Sequence, residues 1–331
     1  MWIELNKKQR IAVLEQVASV KGLPTFVVEK DWWVCMILRA IFQSQYSSSI
    51  IFKGGTSLSK AYSLINRFSE DIDLIIDREL LGFGELKSKS QIKKLRKTSG
   101  GFIINEFREE LIAQLKLLNI DCSQYEIKYN AQVDDTSDPN ILEIYYHSIV
   151  PNKNVYIHQR VLLEIGARSL IEPMEVKEIS SFIDAQYASL DFSDLPFDVQ
   201  VVIPTRTCIE KILLLHEEFS KPINKIRTDR LTRHFYDLDK LMASIYGTMA
   251  LNDHHLFEVI VEHRKTITPL RDMDYSNHVK GKLRIFPPIE VIVLWEKDYK
   301  IMQDNMIIGS SLSWEDLLVR IKEIERLFNG D

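Results

Sequence analysis

Cysteine is scarce in this 331-residue chain: Cys35, Cys122 and Cys208 are odd in number and widely separated. Neither a disulfide framework nor a zinc-ligand spacing can be built from them, which points to a reducing compartment. Glycine (12) and proline (10) are sparse too, excluding collagen-like and low-complexity sequence. No stretch approaches the roughly 18 uncharged apolar residues of a membrane span. The opening MWIELNKKQR lacks the apolar core of a secretory signal, so a cytoplasmic location without a membrane partner is expected. The eight histidines show no metal-ligand spacing, and no Ser/His/Asp or Cys/His nucleophile constellation can be assembled.

What is present suits a folded globule. Apolar residues make up 45% and charged residues 27%, enough to build a core and too apolar for disorder. The length implies one large or two modest domains. A net charge of −5 excludes a wholly basic nucleic-acid coat but leaves room for a local basic groove.

Apolar spacing of three and four predicts helices over Asn6 to Ser19 and Thr25 to Phe42. Ser49 to Phe52 then reads as a strand, Lys53-Gly54-Gly55-Thr56-Ser57 as a glycine turn, and Leu58, Ala61, Tyr62 and Ile65 as one helix face. Asp71 to Ile76 has the content of a mostly buried strand interrupted by Asp71 and Asp73. Arg78 to Gly101 holds a bend and an exposed basic run, followed by a helix from Asn105 to Leu118. Further strands are expected over Glu126 to Gln132, Ile141 to Val150 and Val155 to Ala167, separated by turns at Asp134 to Asn140 and Pro151 to Asn154. Helices follow over Thr207 to Phe219, Asp229 to Tyr246, Asp253 to Thr266, Pro288 to Gln303 and Trp314 to Phe328. The Pro-containing stretch Asp194 to Thr205 is the linker candidate, giving an α/β front over 1–200 and a helical back over 201–331.

Glycines at a strand-to-helix turn let backbone approach a ligand, and the freed helix amides can hold phosphate oxygens. Paired glycines also make ordinary turns, and Ser57 is placed to cap the helix, so the motif by itself leaves both readings open. Asp71 and Asp73, two apart on a strand, point to the same side and can share divalent metal ions, or form a solvated strand end. Lys211 lies among Ile209, Ile212, Leu213 and Leu215, where its ammonium either reaches a phosphate or snorkels to solvent. The run Lys87 to Lys97, and Lys225, Arg227, Arg230 and Arg233, are either nucleic-acid phosphate contacts or solvated surface.

The glycine turn, one helix, then paired acids on the next strand resembles the nucleotidyltransferase superfamily that includes DNA polymerase beta. More closely, Phe52-Lys53-Gly54-Gly55-Thr56-Ser57-Leu58-Ser59-Lys60 with Phe68-Ser69-Glu70-Asp71-Ile72-Asp73-Leu74 resembles the AbiEii/AbiGii type IV toxin family. Glu29-Lys30-Asp31, Glu210-Lys211 and Arg233-His234-Phe235-Tyr236-Asp237-Leu238 extend the likeness over about residues 29 to 240. The family commonly has Arg-Asp where this chain has Arg233-His234.

The resemblance implies an α+β fold, a polymerase-beta-like mixed sheet with flanking helices followed by a helical C-terminal domain. It implies catalytic Asp71, Asp73, Lys211 and Asp237, and nucleotide-binding Lys53, Gly54, Gly55, Thr56, Ser57, Lys60 and Arg233. Mg²⁺ or Mn²⁺ would be held by Asp71 and Asp73 with a third acid, Glu164 as the better match and Glu143 as competitor. Arg233, one helical turn before Asp237, is equally placed for a structural ion pair with it. The implied activity moves a nucleoside monophosphate from an NTP to an acceptor, with the 3′ end of tRNA expected and translation blocked. The implied setting is a toxin-antitoxin or phage-defence pair with a separately encoded antitoxin. The competing expectations are transfer to a protein or small molecule, and a non-catalytic binding module on the same fold.

Overall fold

A computed structural model describes residues 1–69, 71–129, 139–152, 154, 157–171 and 173–330. Glu70, the turn expected over Asp134 to Asn140, the end of the strand expected to Gln132 and the start of that expected from Val155 fall wholly or partly outside these residues. No single helix is long and apolar enough to cross a membrane among the described residues.

The elements follow in the order α1 (Lys7–Lys21), α2 (Thr25–Phe42), β1 (Ile50–Lys53), α3 (Gly54–Lys60), β2 (Asp71–Ile76), α4 (Lys89–Phe102), α5 (Arg108–Leu117), β3 (Tyr125–Tyr129), β4 (Asn140–Tyr146), β5 (Val161–Gly166), β6 (Met174–Ile179), α6 (Phe182–Gln186) and β7 (Phe197–Val202). Then come α7 (Pro204–Phe219), α8 (Arg233–Met242), α9 (Ile245–Asn252), α10 (His254–Thr266), α11 (Ile292–Asn305) and α12 (Trp314–Asn329). They form two compact units, Met1–Tyr62 with Phe68–Val202, and Ser63–Arg67 with Ile203–Asp331.

The first unit is an α+β layer structure around a seven-stranded mixed sheet, β3-β4-β5-β2-β1-β7-β6, among the described residues. β2 runs antiparallel to β1 with Lys53 opposite Asp73, and parallel to β5 with Asp73 opposite Glu164. Alternation along each strand then sorts the side chains by face. Phe52, Ile72, Leu74, Leu142, Ile144, Leu163 and Ile165 point one way and join a single core with Trp32, Trp33 and Ile37 of α2. Each fully buried side chain of this kind contributes about 1.5–3 kcal/mol. The opposite face carries Lys53, Asp71, Asp73, Glu164 and Glu143, all half-buried.

The linker expected over Asp194 to Thr205 is corrected: its middle is β7, which lies inside the sheet, parallel to β1 and antiparallel to β6. Phe197, Val199, Val201 and Val202 are buried, and Pro196 and Pro204 flank the strand rather than occupy it, as proline must. The helix face expected to reach Ile65 stops at Lys60. Ser63–Arg67 instead crosses to the second unit, where Ile308 donates its N–H to the Asn66 carbonyl at 2.8 Å and the Asn66 N–H donates to Tyr236 Oη at 3.2 Å. The basic run is helical, started by Ser88, whose side chain accepts the Gln91 N–H at 3.2 Å. The helix expected over Asp229 to Tyr246 is two, because Ser244 ends one and caps the next.

The second unit is helical. Phe219, Phe235, Trp295 and Trp314 pack together in it, with tilted rings whose centroids are 4.8 Å apart for Phe219–Trp295 and Phe235–Trp295.

Candidate active site

The glycine turn and the paired acids meet in the first unit. Gly54 has φ +80, a left-handed conformation that glycine adopts without penalty. Its Cα is pressed so close to the carboxylate of Asp73 that a Cβ there would lie 1.9 Å from Oδ2. Only a residue without a side chain fits. Thr56 ties the turn to the start of β2, donating to the Asp71 carbonyl and lying 2.9 Å from Ser69 Oγ. Ser57 is buried and donates to the Gly54 carbonyl at 2.9 Å, closing the turn from within rather than capping it from its N-terminus. Lys53, across the ladder from Asp73, reaches Ser169 Oγ at 3.2 Å.

The register separates the positions of Glu164 and Glu143. Glu164 is the direct cross-strand neighbour of Asp73 on the same face. Glu143 lies one strand further, opposite Leu162, and is bonded to Arg160 at 2.7 Å and to the Tyr145 hydroxyl. Asp71, Asp73 and Glu164 offer oxygens alone, the donor type that hard Mg²⁺ or Mn²⁺ takes. Among the described residues no three His, Cys, Asp or Glu side chains are gathered tightly enough to hold an ion by themselves.

Two of the matched motifs have scaffold partners. Asp31 forms a buried ion pair with Lys60 and accepts the Phe182 N–H at 2.7 Å, joining α2 to α3 and α6. Lys60 lies over the Phe182 ring, 4.1 Å from its centroid. Glu29 accepts from the Ser148 hydroxyl and the Ile149 N–H, and Lys30 donates to the His158 carbonyl at 2.7 Å. Glu29-Lys30-Asp31 thus wires the central helix to the sheet's loops; removing one partner of such a buried pair leaves a charge without compensation.

The second unit holds Lys211, Arg233, His234 and Asp237, and adds Arg67, which sequence reasoning missed. Asp237 is fully buried and accepts a bidentate pair from Arg67, Nε to Oδ1 at 2.7 Å and Nη2 to Oδ2 at 2.8 Å. Lys211 Nζ lies 2.8 Å from Asp237 Oδ2 and 3.2 Å from His234 Nδ1. Burial opposes ionisation of Asp237, but Arg67 and Lys211 outweigh it and hold the carboxyl well below the usual range. Burial also lowers the Lys211 ammonium, with Asp237 opposing and Arg67 adding repulsion. The same burial, with Lys211 and Arg233 nearby, drives the His234 imidazole well below its ordinary value.

His234, where the family commonly has aspartate, therefore leaves Asp237 as the carboxylate serving Lys211. Arg233 is half-buried, and Asp237 is bonded to Arg67 and Lys211 instead of to it. Arg67 carries no sequence signal beyond its place four residues before Asp71; only the folding of Ser63–Arg67 onto the helical unit reveals it.

No curated protein matches the chain by sequence. Among solved structures, it is similar to JHP933 from Helicobacter pylori, with 15% identity over 92% of each chain and a TM-score of 0.46. It is also similar to MenT4, a nucleotidyltransferase toxin from Mycobacterium tuberculosis H37Rv, with 16% identity over 98% of each chain and a TM-score of 0.45. The family profile described as nucleotidyl transferase AbiEii toxin, type IV TA system, matches residues 36–320. This protein belongs to the AbiEii family of nucleotidyltransferase toxins of type IV toxin-antitoxin systems.

Proposed function

We propose that this toxin transfers a nucleoside monophosphate from an NTP to the 3′ end of tRNA, releasing pyrophosphate and blocking translation. The observation that carries the reading is the contact of Gly54 with the Asp73 carboxylate, beside Asp71 and Glu164 on one sheet face. Backbone free of side chains and a row of carboxylates suit a cation-bound triphosphate. In the reaction the terminal ribose hydroxyl oxygen bonds to the α-phosphorus as the bond to the pyrophosphate oxygen breaks. Glu164 takes the hydroxyl proton, and the electron pair leaves with pyrophosphate. Asp71 and Asp73 would hold the divalent cation, which neutralises charge on the phosphate oxygens. The turn at Gly54, Gly55, Thr56 and Ser57, with Lys53 beside it, holds the phosphate tail through its backbone, while Lys60, paired with Asp31, anchors α3 to α2. Lys211, oriented by Asp237, neutralises negative charge, and Arg233 assists it. The toxin acts in the cytoplasm, in a phage-defence setting, under control of a separately encoded antitoxin.

The test is incubation of the purified protein with each labelled NTP, Mg²⁺ and total RNA, with sequencing of RNA 3′ ends. Label at tRNA 3′ ends is expected; label confined to protein or small molecules, or none anywhere, overturns the acceptor. Gly54→Ala adds a methyl that would overlap Asp73 and forces alanine into a left-handed conformation costing about 1–2 kcal/mol. A lower melting temperature is expected, together with about 10²-fold slower transfer, since an ångström of misplacement has that effect. Wild-type rates in this variant would detach the turn from the chemistry.

A further inference from the structure

We propose that the exposed face of α4 is an RNA-docking surface that grips the phosphate backbone of the acceptor, an inference that rests on the RNA acceptor proposed above. From Leu86 through Asn105 the chain has no Asp or Glu, while Lys87, Lys89, Lys93, Lys94, Arg96 and Lys97 fall within eleven residues. A protein of net charge −5 thus carries −11 outside this short stretch. At 3.6 residues per turn, Lys89, Lys93, Lys94, Arg96 and Lys97 occupy one arc of about 160°. Leu95, Ser99 and Phe102 face the other way and are buried. Lys89, Lys93 and Lys97 succeed one another at i, i+4, a line about 12 Å long.

Like charges on one helix face repel by a few tenths of a kcal/mol per pair, so an uncompensated row weakens its own helix. Lys89, Lys93, Lys94 and Lys97 are exposed, and none makes an ion pair among the described residues. The other basic stretch is spent differently: Arg227 holds the carboxylate of Glu218 at 2.6 Å. Phe102 packs on Tyr46 with centroids 4.9 Å apart, just before β1 begins and at the opposite end of that strand from Gly54. A grip at that end suits the body of a folded RNA rather than its reacting terminus. An anionic membrane is the poorer match, because an interfacial helix needs bulky apolar side chains facing outward, and those of α4 face the core.

The experiment compares the full-length protein with K89A/K93A/K97A and K89R/K93R/K97R. Binding of fluorescent tRNA is titrated over a range of salt, and helical content is checked by circular dichroism. The alanine variant should bind about 10- to 100-fold more weakly, with the slope of log K against log salt reduced by about 2 to 3. The arginine variant should bind as the wild type does. Transfer to a short oligonucleotide acceptor should be unchanged in both, since none of the three residues lies in the catalytic face. Unchanged tRNA affinity and slope in the alanine variant overturn the surface, as does loss of binding in the arginine variant. Binding of wild type to phosphatidylserine vesicles but not to tRNA overturns it in favour of a membrane. If tRNA binds through α4 but receives no nucleotide, the acceptor reading fails and the docking surface stands.

Discussion

Asp73→Ala should reduce nucleotide transfer by at least about 10³-fold, the equivalent of about 4 kcal/mol of lost transition-state stabilisation. Asp73 is the hub of the proposed catalytic face: Gly54 presses on its carboxylate, Lys53 lies opposite on one side and Glu164 on the other. Its loss should leave folding nearly intact, because the side chain is half-buried on the face away from the main core. Growth arrest on expression should vanish with the activity. Transfer at wild-type rate by a folded Asp73→Ala protein would falsify the metal-holding role. Asp71→Ala should behave alike, whereas Glu143→Ala should lose little activity, since Glu143 is committed to Arg160 one strand away.

Asp237→Ala should be the most destabilising single change in the helical unit. Arg67 is 3% exposed and Lys211 7%, and both would be left buried without their carboxylate. Breaking such a buried group typically costs about 3–5 kcal/mol. Guanidinium denaturation would read this as a lower midpoint, and an unchanged midpoint would show that the pair contributes nothing. The acid dependence follows from the same geometry. The folded carboxyl is held below its unfolded value, so its stabilisation is present above the unfolded pKa of about 4 and lost as pH falls below it. Wild-type stability should therefore fall more steeply than that of Asp237→Ala on acidification below about pH 4. Because Arg67 and Asp237 share one network, the double variant R67A/D237A should be less destabilised than the sum of the singles.

Much of the fold was readable where a local pattern had one physical solution. The helix from Thr25 to Phe42 appears with the bounds expected of it, since a long apolar run after proline has few alternatives, but it is buried on every face rather than amphipathic. β7 was misread because two prolines suggested a connection, although six of the seven residues between them form a strand in which buried Phe197, Val199 and Val201 alternate with Asp198 and Gln200. α4 was read as exposed charge rather than helix; Ser88 and Gln91 carried the start signal. The break at Ser244 went unseen because Ser is also tolerated inside helices.

By itself the sequence determined which groups the proposed chemistry can draw on: the glycine turn, the alternating acids of β2, the lysine of α7 and the aspartate of α8. Side-chain type and short spacing decide these, and both are local. Only the tertiary structure decided that Glu164 and not Glu143 stands next to Asp73, because strand register between segments some ninety residues apart is set by the packing of the whole sheet. It alone decided, too, that Arg67, flanked in sequence by residues of the first unit, belongs to the second and clasps Asp237, for a buried carboxylate takes its partner from whichever segment the fold brings within hydrogen-bond reach.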